Sequence, residues 1–393
     1  MRTVEKHLRT LAITTLACAA PLASAHAQTV EAAVERFDAL VEEMGIKIEW
    51  TSVDISGSDA VLVGVSVGAD QEMAPIGNIT LTGISEVDNG YRIETVSLDD
   101  YQTEDDGSSF SAEGIRMGGV ILPDEGEQDA YGGFLFYETA DVSSMAVNVE
   151  GKDVFTMSDM HVEATAPVDG SAMDFTGAVE GFTVDLSVVE DPQQKAVIQA
   201  LGYEQIKGYM EMAGSWLPTD GRLTLSQYDM SVVDAGTLGL TIDLGGYTSE
   251  FIASLRELQT QMEANPEGDN SAQGLAMLGL MQQLSFHEAE IAFTDDSLTG
   301  KVLEFVAQSQ GMSASDIKNQ AKAVLPFALA QLNNPDFTAA ATQAVSTFLD
   351  DPQVLRVTAS PAEPVPFALI MAEGMSTPQG LIKTLGVTVT ANE

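Results

Sequence analysis

Ile46-Lys47-Ile48-Glu49-Trp50 alternates apolar and polar residues, Val61-Leu62-Val63-Gly64-Val65-Ser66-Val67 does the same, and Ser56-Gly57-Ser58-Asp59 stands between them. Successive side chains on a strand point to opposite faces, so a period of two predicts two strands joined by a Gly/Asp turn. Immediately upstream the period is different. Val30, Ala33, Val34, Phe37, Leu40, Val41 and Met44 recur at helical spacing, and Gly45 suits the position just past a helix end. The change of period at Gly45 predicts a short amphipathic helix leading into a β-rich region.

Downstream, Ile79-Thr80-Leu81-Thr82 and Tyr91-Arg92-Ile93-Glu94 flank Asp88-Asn89-Gly90, and Asn-Gly is a strong hairpin signal. Further strand-like stretches near 143–149, 154–164 and 173–188, with almost no helical pattern between them, predict antiparallel pairing of neighbours. From Asp191-Pro192 helical and strand patterns mix. A helical segment is expected from Pro192 to about Met212, interrupted by Gly202 and Gly208, followed by a hairpin around Asp234-Ala235-Gly236 and a helix carrying Phe251, Ile252, Leu255, Leu258 and Met262 on one face. Asn265 to Asn270 reads as a linker, and beyond it come a Met-rich helix, a strand over 284–293 and three more helices up to Leu349. The expected class is α+β: an antiparallel β-meander in the N-terminal half, over 28–190, and mixed helices and hairpins over 191–393, with a linker near 265–271.

The chain has 393 residues, 17 Lys+Arg against 59 Asp+Glu and a formal net charge of -42. So strong a negative charge repels phosphate backbones and anionic headgroups, which argues against nucleic acid and polybasic membrane docking. Residues 1–27 read as a signal peptide: Arg2, Lys6 and Arg9 precede an apolar stretch from Leu11 to Ala20, and Ala25-His26-Ala27 forms a cleavage site before Gln28. The expectation is a periplasmic or secreted protein with no transmembrane span after cleavage. Cys18, the one cysteine, lies inside that signal, so the mature chain is expected to hold none; a lipoprotein anchored through Cys18 is the less favoured alternative.

Little in the sequence points to catalysis. Downstream of the signal His161 and His287 are the histidines, both in strand-like alternation, with His287 expected to share a face with Ala289 and Ile291. No His-Glu-x-x-His, Gly-x-Ser-x-Gly or phosphate-binding glycine loop occurs. Ser315-Asp316-Ile317-Lys318 matches Ser-x-x-Lys, although Ser313 and Ser315 with Asp316 read more simply as a helix cap. The acidic loops at 99–106, 124–129 and 295–296 lack calcium-loop spacing and read as a solvated surface. No catalytic residue, metal site or cofactor is expected.

One segment stands out for binding. Leu275, Met277, Leu278, Leu280 and Met281 crowd a short helix, and methionine suits surfaces that adapt to varied apolar partners. The order of parts, with Gly45-Ile46-Lys47-Ile48-Glu49-Trp50 opening a strand, Leu217-Pro218-Thr219-Asp220-Gly221-Arg222, and Phe348-Leu349-Asp350-Asp351-Pro352 with Pro361-Ala362-Glu363-Pro364-Val365, resembles uncharacterised periplasmic β-rich proteins of alphaproteobacteria and is loosely similar to AsmA-like envelope proteins. That resemblance implies envelope maintenance or lipid handling and no catalytic residue. The expected function is a non-enzymatic periplasmic protein that binds an apolar or amphipathic ligand, such as a lipid, or an envelope partner. The alternatives are a hydrolase using carboxylates and a structural module acting through protein contacts.

Overall fold

The computed structural model describes residues 28–69, 72–124, 135–166, 171–263 and 271–393. The chain is α+β, its strands pair antiparallel, and its helices lie mainly in the C-terminal half. Among the described residues no helix is long and apolar enough to cross a membrane. The described residues divide into two compact units, one formed by those within 28–103 together with 111–143, the other by those within 104–110 and 144–393.

In the first unit a helix, α1 (28–43), precedes β1 (Lys47–Glu49), β2 (Ser52–Ser56), β3 (Asp59–Ala69), β4 (Glu72–Thr82), β5 (Ser85–Val87), β6 (Gly90–Leu98) and β9 (Arg116–Pro123), while β7 (Tyr101–Asp105), β8 (Ser108–Glu113) and β10 (Thr139–Val149) each have residues in both units. The alternating stretches at 46–50 and 61–67 do become strands, and the turn at Gly57-Ser58 joins β2 to β3 with Ser56 opposite Asp59. Asn89 adopts a positive φ of 65° in the turn that joins β5 to β6. Pairing is not strictly between neighbours: β1 joins β3, β4 joins β6, and β6 joins β9 rather than β7. The helical face read from the sequence packs down, with Val30, Ala33, Val34, Phe37 and Leu40 buried against Leu62, Val65, Leu81, Ile93, Val96 and Leu122. At the rim, Met44 stays exposed.

The second unit holds β11 (Lys152–Ala164), β12 (Met173–Asp185), α2 (Pro192–Leu201), β13 (Gln205–Leu217), β14 (Arg222–Val232), β15 (Gly236–Gly245), α3 (Ser249–Glu263), α4 (Ser271–Met281), β16 (Ser285–Asp295), α5 (Leu298–Gln310), α6 (Ala314–Ala330), α7 (Pro335–Asp350), β17 (Val354–Ala359), β18 (Val365–Pro366), α8 (Phe367–Ser376), α9 (Leu381–Thr384) and β19 (Val387–Ala391). From β11 to β17 each long strand pairs with the next, and β19 completes the ladder on β17. The helices are therefore insertions in the connections of an antiparallel ladder.

The long helix expected from Pro192 to Met212 is a correction. Asp191 caps α2 by accepting from the amides of Gln193 and Gln194, and Gly202 ends it with a left-handed φ of 74°. Residues 205–217 instead form a strand, because Ile206, Gly208, Met210 and Met212 alternate with polar residues and supply one face of the sheet. Gly208 is no obstacle there: a Cβ on it would stand 2.4 Å from Phe182 Cζ, so the ring already fills its place.

One ion pair in the first unit makes a testable contribution. Arg92 grips Glu138 with two hydrogen bonds of 2.9 Å each, and this contact holds the Glu138 carboxyl below its ordinary range. A carboxylate with a depressed folded pKa stabilises the fold above its unfolded pKa and loses that contribution as pH falls through the folded value. Both side chains are partly exposed, which keeps the gain in the surface range. Glu138→Gln should cost ~0.5–1 kcal/mol near neutral pH. The difference from wild type should begin to shrink as pH falls below the unfolded carboxylate value of about 4.3 and be lost once pH passes the lower folded value; a stability difference that persists unchanged in acid would show that the ion pair is not its cause.

Candidate functional site

The ladder registers from β11 to β19 collect apolar side chains on one face. A single row runs Met160, Val179, Met210, Met230, Leu238, Phe293, Leu355, Ala391, each opposite the next. On the same face beside it lie Val162, Gly177, Met212 and Tyr228 across β11 to β14, and Leu240, Ile291, Val357 and Val389 across β15, β16, β17 and β19. Contacts across glycines fix the facing: a Cβ on Gly177 would meet Met212 Cγ at 3.0 Å and Val162 Cγ2 at 3.4 Å, and one on Gly214 would meet Phe175 Cζ at 2.4 Å. The opposite face carries Thr, Ser, Asp and Glu, with Glu290 beside Arg356 and Thr358.

Helices cover this apolar face at its two ends. At one end Trp216, Phe251, Ile252 and Leu284 form a buried cluster with Met173, Leu223 and Tyr247, to which α4 adds Leu280 and Met281 and α8 adds Phe367. The Trp216 indole stays satisfied there by donating to the Tyr247 carbonyl at 2.7 Å. At the other end α7 packs on β17 and β19 and turns in Ala341, Ala344 and Phe348, the last meeting Phe293 edge-on at 6.2 Å. Between the two ends the face is open. Leu238 is 43% exposed, Ile291 53% and Val357 40%, on three strands that follow one another in the ladder.

The Met-rich helix of the sequence reading is divided between two surroundings. Leu280 and Met281 belong to the Trp216 cluster, Met277 is half-buried, and Leu275 and Leu278 are exposed, Leu275 at 71%. A groove of about 310 Å³ runs between α3 and α4 past Ser254, Glu257, Leu258, Ala276, Gly279 and Leu280. The sheet face was missed from sequence because its methionines, Met157, Met160, Met210, Met212 and Met230, lie far apart along the chain and meet only through the ladder.

His287 departs from the expected facing. Asp243 stands opposite Glu288 while Leu244 stands opposite Phe286, so His287 is an extra residue in a β-bulge and leaves the Ile291 face. It joins a polar cluster instead. Arg222 Nη1 lies 2.8 Å from Nδ1 and 3.1 Å from Nε2, Ser285 Oγ is 3.2 Å from Nε2, and Arg222 Nη2 donates to Asp243 at 2.5 Å. A guanidinium can only donate, so the imidazole accepts from Arg222 through a ring nitrogen. The cluster fastens β14, β15 and β16. His161 lies exposed on β11, 3.1 Å from Glu163.

Among the described residues, no three His, Cys, Asp or Glu side chains come together as a metal site. Burial, and then the neighbouring Glu42, raise the Asp38 carboxyl on α1 above its usual range. In the Ser-x-x-Lys segment, Lys318 turns to Asp350 at 3.4 Å, alongside Lys322, and Ser313 and Asp316 form a reciprocal capping box for α6. Ser313→Ala should accordingly cost about 1 kcal/mol. Ser315→Ala, at an exposed helix position, should stay within ~0.5 kcal/mol of wild type. Urea denaturation of the two variants distinguishes cap from nucleophile, and comparable losses from both would reject the capping account.

Residues 229–392, from within β14 to just past β19, match a family described as an uncharacterized protein. No curated protein matches the chain.

Proposed function

We propose that this chain is an exported, periplasmic, non-enzymatic protein that binds an apolar or amphipathic ligand on the open sheet face of the second unit. The observation that carries this reading is the contiguous exposure of Leu238, Ile291 and Val357 beside a row that contains Met160, Met210 and Met230. Contiguous exposed apolar patches are uncommon on soluble proteins and mark interaction sites. Methionine's unbranched, polarizable chain lets such a face fit more than one shape. The signal-like residues 1–27 support export, and the AsmA-like order of parts supports a place in the envelope. The residues singled out on α4, Leu275, Met277, Leu278, Leu280 and Met281, would border the ligand through the end of the face that this helix covers.

Titration with Nile red, an uncharged apolar dye, tests the site. Wild type should bind it with a fluorescence increase. Ile291→Asn and Val357→Asn, which replace exposed side chains and so leave the fold intact, should each weaken that binding about tenfold, the equivalent of ~1.4 kcal/mol. Dye binding that both variants leave unchanged would move the ligand site elsewhere.

A further inference from the structure

The outer sides of α4 and α8 are unusual in a chain of net charge -42. α4 holds 11 residues, none of them charged, and α8 holds 10, with Glu373 its one charge. The two helices pack against each other, and each sends apolar side chains inward to the Trp216 cluster, Leu280 and Met281 from α4 and Phe367 from α8. What they turn outward is apolar as well. Of the described residues, the exposed ones on α4 are Leu275 and Leu278 with glycine and alanine, and those on α8 are Leu369, Met371 and Met375, the last at 88%, with alanine, glycine and Ser376. Glu373 does not join them. One of its carboxylate oxygens is buried, and the other would stand 3.5 Å from a Cβ on Gly380. Ser376 donates its hydroxyl to the Ala372 carbonyl at 2.8 Å, so this surface offers a partner neither charge nor a free side-chain donor.

A helix facing water ordinarily carries polar and charged residues on its outer side. Protein interfaces are knit by roughly one hydrogen bond per 100–200 Å², and these outward side chains supply none. Hydrocarbon asks for none. Helix backbones satisfy their own N–H and C=O groups, so the pair can enter an apolar phase without stranding them. Each helix is only about 15 Å long, half the roughly 30 Å of a bilayer core, so the pair lies within one interface and does not cross. Charge then selects the surface. The neighbouring α3 brings Glu250, Arg256 and Glu257, and α9 brings Lys383, so the local charges are mixed while the chain as a whole is strongly acidic. An anionic bilayer or a second copy of the chain meets that acidic excess as repulsion, whereas a zwitterionic surface does not.

We propose that the outer surface of α4 and α8 docks the protein on a zwitterionic lipid surface, with Leu275, Leu278, Leu369, Met371 and Met375 entering the interface. This surface is separate from the open sheet face and does not depend on what binds there.

Cosedimentation of the mature chain with phosphatidylcholine vesicles tests it. Wild type should bind, with little change between low and high salt because no ion pair holds the contact. Replacing part of the lipid with anionic phosphatidylglycerol should weaken binding at low salt. Leu369→Gln with Met375→Gln, at exposed positions and with a good helix former, should lower the affinity for phosphatidylcholine at least about tenfold. The same double variant should titrate with Nile red, in the absence of lipid, as wild type does. Leu275→Gln should weaken vesicle binding as well, and circular dichroism of each variant confirms that it is folded. No binding by wild type, wild-type binding by the double variant, or tighter binding to anionic vesicles overturns the proposal. So does a dimer, seen by analytical ultracentrifugation, that the double variant dissolves while vesicles bind nothing; the surface then belongs to a second copy. Dye and vesicles read different residues, so loss of the sheet-face site leaves the vesicle result standing, and the reverse.

Discussion

A strand that slips by one residue turns its entire apolar set to the opposite face, so a broad sheet with one apolar side depends on register being held at every step across it. In the second unit that register is held through several irregularities. Steps in the ladder occur between Val179 and Phe182, Ala213 and Gly214, Leu225 and Asp229, and Asp243 and Leu244. Each restores the apolar phase after the sequence has changed it. In β14, for example, Leu223 and Leu225 occupy odd positions and Tyr228, Met230 and Val232 even ones, and the extra residue between them brings both sets to the same side. Without those bulges half of β12, β14 and β16 would turn its apolar residues into the polar face.

This mechanism also sets the limit of what the sequence reveals. Where alternation runs unbroken, as at 46–50 and 61–67, strands and turn are legible, and the i, i+3, i+4 spacing from Val30 to Leu40 identifies a helical face that is in fact buried. The Asn89 turn is equally legible, because its chemistry is local. Residues 205–212 misled because they follow a genuine helix start, and only Phe182, reaching across from β12, explains why Gly208 belongs in a strand. His287 misled for the same reason: a bulge is a property of two strands. The α4 residues were recognisable as a cluster because they are adjacent in sequence, whereas Met160, Met210 and Met230 become neighbours only when three strands are aligned.

The helices inserted into the ladder explain why its apolar face is incomplete. Apolar burial contributes roughly 25 cal/mol per Å² removed from water, so covering the whole face would be favourable. Yet each helical insertion returns to the strand beside the one it left, and therefore stays near one end of the ladder. α3 and α4 leave from the Leu244 end of β15 and seal the Trp216 cluster, while α5, α6 and α7 leave from the Asp295 end of β16, where Phe348 meets Phe293. The row through Leu240, Ile291 and Val357 lies between those two points of departure. Its exposure follows from the connectivity and was not compensated by a longer connection.

An exposed apolar strip ordinarily invites self-association, and here the polar chemistry opposes it. The acidic excess makes two copies repel at the short range where apolar contact would begin, and that repulsion weakens as salt shortens the screening length. Arg222, Arg356, Lys318 and Lys322 are each paired with a carboxylate of the second unit. Acidic composition and the gap between the helical covers thus act in opposite directions on self-association, the charge opposing at short range what the apolar strip would favour.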